Sequence, residues 1–126
     1  MMKDNNKGVR EDTPRHKIPI VICPGFGNDE IDYINPKNMG VDYGLVTSLT
    51  RRGFSPDLIK VLPIKRFEWL RVAGGLLDAN FYTGSSTAEG LAYGWYVKRL
   101  RQTIEEMHGK SGGERCILLC HSAGGW

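Results

Sequence analysis

The sequence predicts an α/β fold, a three-layer sandwich with a mostly parallel central sheet. Three observations carry that reading. Short apolar runs rich in β-branched residues and leucine recur at 18–23, 58–62 and 116–120. Between them lie segments whose apolar residues step by three and four, the spacing of a helix face. The last run, Cys116-Ile117-Leu118-Leu119-Cys120, is apolar on both faces, which suits a strand inside a parallel sheet with helices above and below.

Taken in order, residues 1–17 are polar and aperiodic and are expected to form a disordered N-terminal arm. Residues 18–126 are expected to belong to one domain. Ile18-Pro19-Ile20-Val21-Ile22-Cys23 reads as a buried strand that accommodates Pro19 near its start. Pro24-Gly25 closes it, and the loop continues through Phe26-Gly27-Asn28. Tyr43, Val46 and Leu49 predict a helix over 42–52, with Asp42 as N-cap and Gly53 as the stop. Leu58-Ile59-Lys60-Val61-Leu62 is the second strand, ended by Pro63. Phe67, Trp69-Leu70 and Val72-Ala73 suggest a short helix interrupted by Gly74-Gly75, and 78–87 reads as an ordered loop. Tyr93, Tyr96-Val97, Leu100, Ile104 and Met107 predict a longer helix over 89–108, ended by Gly109. The order strand–helix–strand–helix–strand implies right-handed crossovers, with no repeat and no second domain.

Composition narrows the function. A chain of 126 residues with 40% hydrophobic and 25% charged residues is ordinary for a globular domain. The net charge of +3 comes from short runs such as Arg51-Arg52, not from a basic stripe interleaved with aromatics, so nucleic acid is not an expected partner. No apolar run is long enough to span a membrane, and no secretory leader is visible. The odd count of 3 cysteines, without C-x-x-C spacing, reads as buried free thiols. The histidines His16, His108 and His121 show no ligand spacing, so no metal and no organic cofactor is expected. No protein partner is evident.

The chemistry gathers where the third strand runs into Cys120-His121-Ser122-Ala123-Gly124-Gly125. A serine two residues past a buried strand, bracketed by small residues, is the pattern of a nucleophile elbow. There the hydroxyl projects from the tip of a sharp strand-to-helix turn, and the residues two before and two after must be small. Gly124 meets this demand; Cys120 stands where glycine is usual but is compact. Gly125 is expected to let the following helix pack closely on the sheet. The elbow places the N–H of Ala123 at a helix start, where it can bind an oxyanion. The glycine-flanked loop after the first strand is placed to supply a second donor, the N–H of Phe26. His121 reads as a packing residue pointing away from Ser122, and Cys120, inside the strand, is not the nucleophile. Trp69, Trp95, Tyr93 and Tyr96 read as core, with an acyl pocket as the alternative.

The segments PIVICPGFGNDEIDY, IKRFEWLRVAGGLLDANFYTG and CILLCHSAGGW together resemble a group of α/β-hydrolase superfamily proteins of plants, algae and related phototrophs, described as lipase- or esterase-like. The similarity runs from about Ile18 to Trp126. It implies the α/β-hydrolase fold, with Ser122 as nucleophile, Phe26 and Ala123 as oxyanion donors, and an ester of a small molecule or lipid as substrate. Many members of that group are intracellular and plastid-associated, but no transit peptide is visible here, so the sequence leaves the compartment open. In that fold the chain order is serine, acid, histidine. Both partners are therefore expected beyond Trp126, and Asp57, Asp78, His16 and His108 precede the serine and are not nominated. The chain is expected to be the front part of a longer product, truncated after the elbow, which would leave the far edge of the third strand bare, flat and hydrophobic. The rival expectations are a catalytically inactive fragment or interaction module, and acyl transfer or thioester cleavage on the same fold.

Overall fold

The computed structural model describes residues 14–83 and 90–125. Its centre is a three-stranded parallel sheet in the order β2-β1-β3, with β1 at Ile20–Cys23, β2 at Ile59–Val61 and β3 at Ile117–Cys120. Ile22 lies beside Val61 on one side and Leu119 on the other, and Cys23 lies beside Cys120. The three apolar runs thus form a mixed helix–strand domain with a parallel sheet, as the sequence predicts.

β1 is buried throughout because helices cover both of its faces. Side chains alternate across a strand, and two clusters result. Val21 and Cys23 join Leu62, Ile64, Trp69, Tyr96 and Met107, with Leu100 and Ile104 of α4 (Gly94–Lys110) packed on them. Ile20 and Ile22 join Tyr33 and Val61 on the other side, beneath Ile34 of α1 (Ile31–Ile34) and Leu45, Val46 and Leu49 of α2 (Leu45–Arg51). Each fully buried aliphatic side chain contributes roughly 1.5–3 kcal/mol by leaving water.

β3 has the bare edge expected of it but lacks the expected cover on its faces. It is an edge strand, and all four of its residues are exposed, Ile117 at 42% and Leu118 at 43%. The clusters form over β1 and β2, so a run that reads as doubly covered has one hydrogen-bonded neighbour and little cover. Such an edge favours association with other strands.

Several boundaries move for local reasons. Part of the arm is ordered: Arg15–Lys17 form a 3-10 turn, and Arg15 Nη1 donates to the Arg52 carbonyl at 3.1 Å. Residues 1–13 lie outside the described residues. The helix expected from Asp42 begins at Leu45, because Gly44 lies against α1, where a Cβ would run into the Ile34 carbonyl. Asp42 instead pairs with Arg51 at 2.9 Å. Gly74-Gly75 do not interrupt the segment after β2, which is one 3-10 run over Arg66–Leu77. The expected loop at 78–87 opens with a short helix, α3 (Ala79–Tyr82), where the Asp78 carboxylate accepts the Asn80 N–H at 3.0 Å. The rest of that loop lies outside the described residues. The last helix starts at Gly94, not 89, and runs past Gly109. Its end is closed when Gly113, at φ +95, donates its N–H to the His108 carbonyl.

Glu68 couples this framework to pH. Its carboxylate accepts the Arg99 guanidinium and the Lys65 N–H, both at 2.8 Å, and the side chain is largely buried. The Arg99 hydrogen bond outweighs desolvation, and with the Lys65 N–H it holds the carboxyl below the usual carboxylate range. The folded state therefore favours the ionised form. That stabilisation is complete at neutral pH and disappears as pH falls through the depressed folded value. Glu68→Gln is expected to cost about 1–3 kcal/mol at pH 7 and to flatten the acid limb of urea midpoint against pH.

Candidate active site

Two backbone segments meet at the C-terminal end of the sheet. One follows β1 as Pro24-Gly25-Phe26-Gly27-Asn28; the other follows β3 as His121-Ser122 and a 3-10 turn over Ser122–Gly125. The His121 N–H donates to the Cys23 carbonyl at 3.1 Å, and the Gly124 N–H to the His121 carbonyl at 3.0 Å. Glycine is required on both sides of this junction. A Cβ on Gly25 would stand 2.8 Å from the His121 carbonyl oxygen and 3.0 Å from Ser122 Cβ. A Cβ on Gly124 would stand 2.5 Å from the Cys23 carbonyl oxygen and 2.9 Å from that of Pro24.

The small-residue demand at 124 therefore comes first from the end of β1, not from residue 120 as the elbow pattern suggests. Cys120 itself is exposed, not buried. Gly125 is not sterically constrained: its Cβ would meet only Cys120 Cβ, at an ordinary 3.5 Å.

Ser122 lies in the left-handed region at φ +51. For a non-glycine residue this conformation costs roughly 1–2 kcal/mol and persists only where its surroundings hold it. Among the described residues its Oγ has no hydrogen-bond partner. Ser122→Gly is expected to raise stability by about 1 kcal/mol in thermal melts while removing any chemistry that depends on the hydroxyl.

The loop after β1 is pinned at almost every residue. The Pro24 carbonyl accepts the Tyr96 hydroxyl at 3.0 Å. The Gly25 N–H donates to the Tyr33 hydroxyl at 3.1 Å, and the Gly25 carbonyl accepts the Asn28 N–H at 3.0 Å. Gly27, at φ +76, gives its carbonyl to Arg66 Nε at 3.0 Å, and the Asn28 carbonyl accepts Trp69 Nε1 at 2.8 Å. Arg66 also forks onto Asp32 at 2.8 and 3.0 Å. Desolvation pushes the Asp32 carboxyl up, but the Asp29 N–H and Arg66 outweigh it and hold it low. Among the described residues, no acceptor takes the Phe26 N–H.

His121 is engaged elsewhere. Its Nδ1 lies 2.8 Å from the Tyr33 hydroxyl. That hydroxyl also accepts the Gly25 N–H, so one oxygen joins the imidazole to the loop after β1. Tyr33 thus ties the loop after β1 to the turn after β3, a role no local pattern in the sequence announces. The Trp69 indole and Tyr96 hydroxyl are further supports that the sequence shows only as core aromatics.

Beside this junction runs an apolar groove of about 330 Å³, lined by Phe26, Trp69, Leu70, Val72, Ala73 and Leu76. The Phe26 ring sits 5.3 Å from that of Trp69, and Trp69 packs on Trp95 and Tyr96 at 5.7 and 5.6 Å. Trp69 is therefore both core and groove wall, while Trp95 and Tyr96 belong to the core side. Among the described residues, no group of histidine, cysteine or acidic side chains could hold a metal ion. No described helix is long and apolar enough to cross a membrane.

Comparison of the chain with protein-family models, with curated proteins and with solved structures found no match in any of the three.

Proposed function

We propose that this chain carries the nucleophile and oxyanion donors of an α/β-hydrolase-type serine hydrolase acting on carboxylic esters with apolar acyl groups. The observation that carries the reading is Ser122 at φ +51, two residues past a parallel strand and so near Gly25 that a Cβ there would stand 3.0 Å from Ser122 Cβ. A hydroxyl at the tip of such a turn attacks an acyl carbonyl, and the oxyanion that forms needs N–H donors. Phe26 supplies one from a loop whose other polar groups are largely committed; Ala123, directly after the nucleophile, supplies the second. Losing one such donor raises the barrier by about 3 kcal/mol. The groove wall at Phe26 favours an acyl chain over a polar substituent.

Activation of the hydroxyl takes a general base. His121 is occupied by Tyr33, and no residue of this chain is assigned to the base or to the acid behind it. That engagement favours a second reading of the same site, acyl binding without turnover. Acyl transfer and thioester cleavage share its geometry.

A fluorophosphonate carrying an alkyl chain distinguishes these readings. Labelling at Ser122, lost in Ser122→Ala and accompanied by ester turnover, is the expected result for a hydrolase. Saturable, non-covalent binding of the alkyl probe, with Ser122 unmodified and no ester turnover, supports the binding reading. Labelling spread over other serines, with Ser122 unmodified, overturns both.

A further inference from the structure

Cys23 and Cys120 are the last residues of β1 and β3, and they are paired in register. Register partners on neighbouring parallel strands lie roughly 4.8 Å apart and project to the same face. That separation falls inside the Cα range of about 4.4–6.8 Å that a disulfide spans. The Cys120 thiol lies against that of Cys23, close enough to act on its ionisation, and the Tyr96 hydroxyl borders the same pair. The two thiols differ in access: Cys23 is buried, and Cys120 is exposed on the open edge strand. Cys116 is no competitor for either. It sits about 13 Å along the chain from Cys120, and its thiol bonds the Ile104 carbonyl at 3.7 Å.

We propose that Cys23 and Cys120 form a reversible redox pair that closes to a cross-strand disulfide when a small disulfide oxidant reaches the β3 edge. The Cys120 thiolate attacks one sulfur of the oxidant, forming a mixed disulfide and releasing one small thiol. Cys23 then loses its proton and attacks Cys120 Sγ, releasing the second small thiol. Two protein thiols become one cystine, the oxidant becomes two thiols, and the two protein protons end on those thiols. Burial, with the neighbouring Cys120 thiol, pushes the Cys23 thiol up to about 12. Cys23 therefore does not start the exchange, and the exposed Cys120 is the point of entry. The bond would fasten the strand that leads into Gly25 to the strand that leads into Ser122. Nothing in this step uses the Ser122 hydroxyl, so the proposal stands or falls apart from the hydrolase reading.

The test uses the full chain incubated with oxidised glutathione. Remaining thiols are blocked with N-ethylmaleimide in denaturant, and unreduced digests are sequenced by tandem mass spectrometry. Cys116→Ser removes the ambiguity of two cysteines in one tryptic peptide. The expected product is a Cys23–Cys120 linked peptide from a monomeric chain, with Cys23 maleimide labelling reduced roughly tenfold and restored by dithiothreitol. Cys120→Ser, a change at an exposed position, is expected to return Cys23 to full labelling. Glutathione carried on Cys120 with Cys23 fully labelled, or a link only between two chains, would overturn the proposal.

Discussion

Gly124→Ala is expected to destabilise the fold by about 3 kcal/mol and to lower the melting temperature by roughly 10 °C or more. The new methyl would stand 2.5 Å from one backbone carbonyl and 2.9 Å from another, at Cys23 and Pro24. Neither can rotate aside, so the turn after Ser122 must lift away from the end of β1. The hydrogen bond from the His121 N–H to the Cys23 carbonyl is stretched by the same movement. Gly109→Ala is the matched control. Its methyl meets nothing within 4 Å on an exposed face of α4, and helix propensity there favours alanine by about 0.8–1 kcal/mol. Thermal melts of the two variants should move in opposite directions; equal, small shifts would show that the junction at 124 is not tightly packed.

Trp69→Ala is expected to cost about 3–5 kcal/mol. The side chain is 4% exposed and touches the rings of Phe26, Trp95 and Tyr96. Its removal leaves a cavity on the α4 side of the sheet and frees the Asn28 carbonyl, the far anchor of the Phe26 loop. Stability and the loop are affected together, so probe reactivity at Ser122 should fall by more than the unfolded fraction explains. Trp69→Phe refills much of the volume without the indole N–H. It is expected to recover most of the stability while leaving the loop anchor missing, which separates the two effects in a comparison of urea midpoint with labelling rate.

The sheet and both halves of the junction are legible in the sequence because their signals are local. Three apolar runs become three strands, and a serine between small residues after the last becomes a tight left-handed turn. The supports of the site are not legible, because they are side-chain bonds between distant residues. Tyr33 reaches His121, Trp69 reaches Asn28, and Arg66 reaches Gly27 and Asp32. Nothing in the spacing of these residues marks them as partners. Tyr33 lies on a helix of four residues, too short for periodicity to register. The bare edge of β3 was legible, but its uncovered faces were not, for a different reason: an apolar run shows what a strand is suited to pack against, not what is present to cover it. Asp42 shows a third kind of miss, a good capping residue displaced because Gly44 must lie against the Ile34 carbonyl.

The central claim is that the Ser122 hydroxyl and the Phe26 N–H address the same reacting centre. Amide NMR of the chain before and after phosphonylation by an alkyl fluorophosphonate tests it most directly. The adduct places a phosphoryl oxygen where the oxyanion of an ester would form. A single adduct on Ser122, with the Phe26 and Ala123 amide protons moving downfield as they take that oxygen, is the expected result. An adduct on Ser122 that leaves the Phe26 amide unmoved would contradict it.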